Sequence, residues 1–251
     1  MPEAQRPERV LVVVPAWNEE TCVTDTINEI RAAAPYVDIV VVDDGSVDRT
    51  ARRAREAGAD VIELSYNLGV GGAMRAGFRY AERREYDTVI QVDADGQHDP
   101  NEIKRLLDKL AEGNDVVIGA RFADRGDYKV RGPRRWAMVL IARVLSWITG
   151  TRLTDATSGF KASGRLAIAL FAEHYPAEYL GDTIEALVIA ARANCKVAQV
   201  SVVMRERRGG VPSHSPLKSA VYLFRAVLAL AMALVRRYPR RIPVVEERST
   251  L

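Results

Sequence analysis

Two aspartates separated by one residue, Asp93 and Asp95, follow an apolar stretch at residues 88–92. Strand alternation would point both carboxylates to the same side, where they would repel each other unless a cation lay between them. A hard divalent ion that also binds diphosphate oxygens is the natural occupant of such a site. Gln97 could add a neutral oxygen ligand. An acidic β-turn is the alternative that needs no metal.

A second acidic cluster, Asp43-Asp44-Gly45-Ser46, follows another apolar stretch. A carboxylate at this position could accept hydrogen bonds from ribose hydroxyls or from a base edge, as acidic residues do in dinucleotide-binding folds. Ser46 or Asp48 could instead cap the following helix. The two interpretations are compatible, because one cluster can both close a turn and bind a ligand.

The second half of the chain adds further acidic residues and a basic segment. Asp155 and Asp182 are candidates for acid–base or orienting roles, or for helix caps. Between residues 121 and 135 the basic residues are Arg121, Arg125, Lys129, Arg131, Arg134 and Arg135. Arginine suits phosphate recognition, although a solvated basic loop is the alternative. The apolar stretch that follows favours an anionic amphiphile as the partner.

The glycine-rich stretch Gly69-Val70-Gly71-Gly72 resembles a phosphate-binding loop only weakly. It is not a GxGxxG fingerprint, because the third glycine position falls on Met74, and the first apolar stretch carries no glycine fingerprint. A nicotinamide cofactor is therefore disfavoured. A nucleotidyltransferase is disfavoured for the same reason.

The elements that must position these residues are alternating strands and helices. Apolar, β-branched stretches predict strands at residues 10–14, 37–42, 61–64, 88–92 and 116–118. Helices are predicted at residues 19–34, 47–57, 71–84 and 101–112. This pattern predicts an α/β fold with a largely parallel sheet that is covered by helices on both faces. Ligands bind at the carboxyl ends of such strands, where the acidic clusters fall.

The second half is less regular. It predicts an apolar helix at residues 136–147, a helix that opens at Asp182, a strand at residues 197–203 and a long helix at residues 216–237. We expect a catalytic domain at residues 1–213, an amphipathic helix at 214–238 and a mobile tail at 239–251. The apolar part of that helix is interrupted by Lys218 and Arg225, so it is not expected to span a bilayer.

Composition excludes some classes of function. The 251 residues include 36 basic and 33 acidic residues, a formal net charge of +3, which is weak for a nucleic-acid partner. Cys22 and Cys195 have no CxxC spacing and are expected to be reduced thiols in a cytosolic protein. The N-terminal residues lack the apolar segment of a signal peptide.

Four motifs together resemble family 2 glycosyltransferases of the GT-A fold. Residues 12–20, Val-Val-Val-Pro-Ala-Trp-Asn-Glu-Glu, resemble the opening of that family. The stretch from Asp43 to Ser46 with Asp48 and Thr50, the stretch from Asn67 to Phe78, and the Asp93-Ala94-Asp95 box follow in the expected order. These motifs cover about the first 100 residues, and their order is far more specific than any one motif.

The later motifs resemble the dolichyl- or polyprenyl-phosphate sugar synthase branch, whose sugar is mannose or another hexose. Gln97 matches a metal-shell glutamine, and Gly119-Ala120-Arg121 is similar to a Gly-Ser-Arg motif with Ala120 replacing serine. Arg134 or Arg135 matches a later arginine. Asp155 with Ser158-Gly159-Phe160 resembles an Asp-x-x-Ser-Gly-Phe motif, and Asp182 lies where another acidic residue is often found.

The resemblance implies inverting transfer of a hexosyl unit from a UDP- or GDP-linked sugar to a polyprenyl phosphate. Mg²⁺ or Mn²⁺ would bind Asp93, Asp95 and Gln97. Asp155, Asp182 and Arg121 would be catalytic, and Arg121 with Arg134 or Arg135 would hold the acceptor phosphate. The implied donor site consists of Pro15, Ala16, Asn18, Glu19, Asp43, Asp44, Gly71, Asp93, Ala94 and Asp95.

Two other functions stay open at this point. A family 2 enzyme could act on a hydroxyl acceptor, which would need Asp182 or Asp155 as a base. The chain could also be a non-catalytic subunit that binds a nucleotide sugar, although intact acidic motifs argue against that. For a lipid acceptor, we expect a cytoplasmic protein that is attached peripherally to the inner face of the membrane, with the helix at 214–238 on the domain or at the interface.

Overall fold

The computed structural model describes residues 8–120, 133–155, 157–176 and 182–205, with the side chains of residues 133–138 excepted. The strands are β1 (Val10–Ala16), β2 (Asp38–Asp43), β3 (Asp60–Glu63), β4 (Thr88–Gln91), β5 (Val116–Ala120), β6 (Lys161–Gly164) and β7 (Val197–Ser201). The helices are α1 (Val23–Ala33), α2 (Thr50–Glu56), α3 (Gly69–Arg83), α4 (Ile103–Ala111), α5 (Pro133–Thr149), α6 (Arg165–His174) and α7 (Asp182–Arg192), with a 3₁₀ turn at Pro100–Glu102.

The strands form one seven-stranded sheet in the order β3-β2-β1-β4-β6-β5-β7. β6 runs antiparallel to β4 and β5, and every other pairing is parallel. The predicted α/β class with a mostly parallel sheet is confirmed. Because β1, β2 and β4 are adjacent and parallel, their carboxyl ends meet at one edge of the sheet.

The central strands of the sheet are buried on both faces, which explains their continuous apolar sequences. Every residue of β1 is buried. Leu11 and Val13 point towards α3, α6 and α7, whereas Val12 and Val14 point towards α1 and α4. Two apolar layers therefore hold the polar strand ends at a fixed edge.

The first two helices begin later than the sequence predicts. α1 begins at Val23 instead of residue 19, because the backbone N–H of Glu19 donates to Oγ1 of Thr50 (2.9 Å) and that of Glu20 donates to Asp48 (3.2 Å). α2 begins at Thr50. The residues between strand and helix are therefore used to join the β1 and β2 loops, close to the predicted donor site.

β6 and α6 are elements for which the sequence analysis gave no bounds, whereas α7 opens at Asp182 as predicted. Cys22 and Cys195 are buried free thiols. Among the described helices, none has the length and apolar character needed to cross a membrane. The predicted helix at 214–238 and the tail at 239–251 lie outside the described residues.

Candidate active site

A cavity of about 220 Å³ lies at the edge of the sheet where β1, β2 and β4 end. The residues that line it are Pro15, Ala16, Trp17, Glu19, Asp44, Val70, Ala73, Asp93, Ala94 and Asp95. Most of the predicted donor residues therefore meet in one cavity. Trp17, Val70 and Ala73 were not predicted as site residues, although all three lie inside motifs that the sequence singles out.

Three predicted donor residues, Asn18, Asp43 and Gly71, are not among these lining residues. Asn18 has a left-handed backbone (φ 54°). Its N–H donates to Oγ of Ser46 (2.9 Å), and its Oδ1 accepts from the N–H of Val47 (3.0 Å). Asp43 accepts from the N–H of Ser46 (3.1 Å). Asn18 and Asp43 thus hold the loops that carry the lining residues.

Asp44 connects the end of β2 to the start of α3. Its carboxylate accepts from the N–H of Leu68 (2.7 Å) and of Gly69 (2.8 Å), so it satisfies donors at the N-terminus of that helix. Burial raises the pKa of Asp44, and the two N–H donors oppose this shift. The carboxylate is thus both a structural cap and part of the cavity lining.

Gly71 allows α3 to approach the segment before α7. A Cβ at Gly71 would stand 2.2 Å from the carbonyl oxygen of Pro176 and 3.2 Å from Cβ of Asp182. Asp182 therefore lies beside the first turn of α3. Burial raises the pKa of Asp182, whereas the Lys161 ammonium acts to lower it.

Asp93 and Asp95 lie on the turn beyond β4, because that strand ends at Gln91. The strand alternation used to predict their common direction does not extend to them, yet both side chains line the cavity. Oδ1 of Asp93 accepts from Nε2 of Gln91 (3.0 Å), and Oδ1 of Asp95 accepts from the N–H of Gln97 (3.0 Å). Local hydrogen bonds orient the two carboxylates.

His98 supports the turn that carries Asp93 and Asp95. Its Nδ1 accepts from the N–H of Asp93 (2.9 Å), so the ring proton of neutral His98 is on Nε2, which lies 3.6 Å from Oδ2 of Asp93. The imidazole is buried and stacks on Phe160, with ring centroids 4.9 Å apart. These contacts give His98 a structural role beneath the Asp93 backbone.

The donor set fits a hard divalent cation that shares its coordination with a ligand. Asp44, Asp93 and Asp95 bring three carboxylates to one cavity. Among the described residues, however, no cluster of three or more His, Cys, Asp or Glu side chains is arranged to hold an ion alone. Mg²⁺ commonly binds through one or two carboxylates, with waters and substrate phosphates as its other ligands. The arrangement meets that need.

Asp155 is 2% exposed and lies outside the cavity lining described above. Its carboxylate accepts from Oγ1 of Thr157 (2.9 Å) and from the N–H of Thr157 (3.2 Å), which fixes the turn. The following residues contact the turn that carries Asp93 and Asp95, which we call the metal turn after its candidate role: Gly159 lies against Asp93, and Phe160 stacks on His98. The motif that begins at Asp155 therefore supports the Asp93 turn.

Only part of the predicted acceptor site falls within the described residues. Arg121 lies outside the described residues. Arg134 and Arg135 belong to the first turn of α5, and their side chains are among those not described. Their role in holding an acceptor phosphate stays a prediction.

Fold and cavity together define a glycosyltransferase of the GT-A fold. Glucosyl-3-phosphoglycerate synthase from Mycobacterium tuberculosis, solved in complex with UDP, superposes with a TM-score of 0.69 at 23% identity, covering 92% of this chain and 82% of that one. The profile described as glycosyl transferase family 2 matches residues 11–168. The chain belongs to glycosyl transferase family 2.

Two relatives have activities named in their descriptions. Polyprenol monophosphomannose synthase from Mycolicibacterium smegmatis is 37% identical over 172 residues, which is 65% of this chain and 65% of that protein. The alignment therefore leaves about a third of each outside. Undecaprenyl-phosphate mannosyltransferase from Micrococcus luteus is 32% identical over 213 residues, covering 80% of this chain and 86% of that protein.

Proposed function

We propose that this chain transfers a hexosyl unit from a nucleotide-diphosphate sugar to a polyprenyl phosphate, with inversion at the anomeric carbon. The observation that carries the proposal is the meeting of Asp44, Asp93 and Asp95 in one cavity at the carboxyl ends of β2 and β4. The relatives named as polyprenol and undecaprenyl-phosphate mannosyltransferases support the acceptor class.

The donor would bind with its nucleoside against the β1 and β2 loops. Pro15, Ala16 and Glu19 line that side of the cavity, and Asp44 offers a carboxylate to ribose hydroxyls. Asn18 and Asp43 would act indirectly by holding these loops together. The donor nucleoside would be uridine or guanosine, and the transfer assay distinguishes the two.

Asp93 and Asp95, together with Gln97, would hold Mg²⁺ or Mn²⁺. When bound, the ion would neutralise the negative charge that develops on the leaving diphosphate. The hydrogen bonds from Gln91 to Asp93 and from Gln97 to Asp95 orient the two carboxylates before the substrate arrives. This preorganisation is what an electrostatic catalyst needs.

An acceptor phosphate needs no strong base. Its second pKa is about 6, so at neutral pH one of its oxygens is already a nucleophile. That oxygen would bond to the anomeric carbon as the bond to the diphosphate oxygen breaks, and the nucleoside diphosphate would leave with the electron pair. Arg121, with Arg134 or Arg135, would hold the acceptor phosphate. Asp182 or Asp155 would be needed as a base only for a hydroxyl acceptor.

The outward face of α5 supports contact with a lipid surface. Leu140 and Trp147 are 53% and 84% exposed, and they lie seven residues apart on one side of the helix with Arg143 between them. Large apolar side chains beside a basic one are typical of interfacial helices. We propose that this face touches the inner, cytoplasmic surface of the membrane.

A radiolabelled-sugar transfer assay tests the proposal. UDP- and GDP-sugars are presented with a short polyprenyl phosphate and Mg²⁺ or Mn²⁺. We expect labelled lipid with one donor, and its loss in Asp95→Asn, which keeps the shape of the side chain but removes its charge. Asp108→Asn, on the exposed surface of α4, is the matched control and should keep activity.

Two results would replace the proposal with another function. Metal-dependent hydrolysis of the donor without lipid product would indicate a family 2 enzyme with a hydroxyl acceptor. Donor binding with neither transfer nor hydrolysis would indicate a non-catalytic nucleotide-sugar-binding subunit.

A further inference from the structure

A buried lysine lies in the sheet near the candidate metal turn. It has no role in the proposed mechanism. Lys161 is the first residue of β6 and is 6% exposed. Its Nζ donates to the hydroxyl of Tyr175 (2.9 Å). A buried ammonium is costly unless charged or polar groups compensate it. The buried ammonium of Lys161 therefore needs more compensation than the hydroxyl of Tyr175 supplies alone.

The groups that compensate Lys161 belong to the candidate site. Burial lowers the pKa of the Lys161 ammonium, and the carboxylates of Asp182 and Asp93 oppose that shift. The Lys161 ammonium thus interacts electrostatically with Asp182, which lies beside α3, and with Asp93. Its position links β6 electrostatically to both.

Gln91 lies between Lys161 and Asp93. The two residues Gln91 and Lys161 are direct partners in the antiparallel pairing of β4 with β6, so their side chains are neighbours on one face. Nε2 of Gln91 donates to Oδ1 of Asp93 (3.0 Å). Within the described residues, the buried Oε1 of Gln91 has no hydrogen-bond partner. A buried amide oxygen of this kind requires an explanation.

The charge of Lys161 offers that explanation. Gln91, Lys161 and Tyr175 line the same small, mostly apolar space of about 10 Å³, where the ammonium can compensate the amide oxygen electrostatically. The positive charge on that side also favours the amide orientation in which Oε1 faces Lys161 and Nε2 faces Asp93.

We propose that Gln91 and Lys161 are positioning residues for a divalent cation: Lys161 fixes the orientation of the Gln91 amide, and Gln91 holds the Asp93 carboxylate towards the metal. The proposal rests on the metal centre of the proposed function and adds to it the part of the sheet that orients the ligand. Groups that orient metal ligands in this way typically change metal affinity by about 10–100-fold when they are removed.

The test measures Mn²⁺ binding in the presence of UDP or GDP, from the electron paramagnetic resonance signal of free Mn²⁺, so it needs no acceptor and no turnover. Gln91→Met keeps the length of the side chain but loses both hydrogen-bonding groups. We expect it to weaken Mn²⁺ binding by about tenfold. Ser163→Ala is the matched control, because Ser163 lies on the same strand and lines the same small cavity. It should bind Mn²⁺ like the wild type.

Lys161→Met distinguishes a positioning role of Lys161 from the direct electrostatic effect of its charge on the cation. Removing a positive charge near the site would by itself strengthen cation binding, whereas loss of positioning weakens it. We expect Lys161→Met to bind Mn²⁺ more weakly than the wild type. We also expect the double variant of Lys161→Met and Gln91→Met to bind Mn²⁺ no more weakly than Gln91→Met alone, because Lys161 acts through Gln91. Tyr175→Phe should weaken binding in the same direction, and it serves if Lys161→Met does not fold.

Tighter binding in Lys161→Met, additive losses in the double variant, or wild-type affinity in Gln91→Met would each overturn this inference while leaving the proposed function intact. A wild-type protein that binds no Mn²⁺ with either nucleotide would overturn the metal centre itself, and both proposals with it. Thermal unfolding of each variant, measured beside the binding curve, identifies losses that come from misfolding.

Discussion

Gly159 lies directly against the carboxylate of Asp93: a Cβ at Gly159 would stand 3.1 Å from Oδ2 of Asp93 and 3.0 Å from Nε2 of Gln91. Real Cβ contacts are seldom this tight, so any side chain at Gly159 must displace the amide or the carboxylate by a few tenths of an ångström. The Ser158-Gly159-Phe160 motif is therefore a support for the metal turn.

Gly159→Ala should consequently impair the metal site more than the fold. We expect Mn²⁺ affinity, and with it the rate of sugar transfer, to fall by about tenfold, with a small change in the melting temperature. Gly164→Ala is the matched control at the other end of β6, where the nearest atom to an added Cβ is 3.8 Å away. Wild-type Mn²⁺ affinity in Gly159→Ala would contradict the prediction.

The sequence predicts the donor side of the site well because its signals are local. Apolar stretches that end in acidic residues identify β1, β2 and β4, and parallel pairing then brings their ends together. Asp44, Asp93 and Asp95 meet in one cavity for that reason. Asn18 departs from this pattern, because its backbone and side chain hold the β1 and β2 loops together and it does not line the cavity.

The Lys161 side of the site could not be predicted in the same way. β6 has four residues, one of them lysine, so it lacks the apolar alternation that indicates a strand. Its stability comes from pairing with β4 and β5, which lie far away in the sequence. Gln91 and Asp93 are only two residues apart in the sequence, so their hydrogen bond is a local contact. Its proposed role depends on Lys161, which pairs with Gln91 from the neighbouring strand and is distant in the sequence.

Contact of α5 with a lipid surface predicts the effect of one exposed tryptophan. Trp147 is 84% exposed, and tryptophan binds favourably at membrane interfaces. Trp147→Ser should reduce the fraction of protein that floats with anionic vesicles at least about twofold. Tyr36→Ser removes an aromatic residue that is 57% exposed between α1 and β2, and should float like the wild type. Equal flotation of both variants would count against this face.

Tyr86 predicts how stability depends on alkaline pH. Burial raises its pKa to about 12, with further contributions from the hydrogen bond to Asp38 (2.8 Å) and the charge of that carboxylate. Between about pH 10, where an unfolded tyrosine ionises, and pH 12, the folded protein keeps a proton that the unfolded chain loses. The free energy of unfolding should therefore fall as pH rises through this range.

Tyr86→Phe removes the proton responsible for that dependence. Urea unfolding at pH 9.5 and pH 11.5 should show a smaller loss of stability in the variant than in the wild type. Some loss should remain, because burial and Asp60 also raise the pKa of Tyr80 to about 12. The same slope in both proteins would show that Tyr86 titrates alike in the folded and unfolded states.

Arg205 connects the segment after β7 to the metal turn and to α1. Nη1 donates to Glu29 (2.5 Å), Nη2 donates to Asp99 (2.7 Å), and the backbone N–H donates to the carbonyl of Gln97 (2.9 Å). The Arg205 side chain is 28% exposed, so these charge-assisted bonds are partly shielded from water. Arg205→Met should lower the free energy of unfolding at pH 7 by about 1–2 kcal/mol.

Lowering the pH should reduce the difference in the free energy of unfolding between the wild type and Arg205→Met. Burial would raise the pKa of Asp99, but hydrogen bonds from Asn101 and the charge of Arg205 outweigh it, so the pKa is lowered. A lowered pKa contributes stability above the unfolded value, and this stability is lost as pH falls. The gap between wild type and Arg205→Met should therefore narrow below about pH 4. Arg105→Met is the matched control, because the Arg105 side chain is 55% exposed and its partner Glu102 lies 3.4 Å away. It should change stability by less than about 0.5 kcal/mol. An equal loss in both variants would mean that the partial burial of the Arg205 contacts adds no stability.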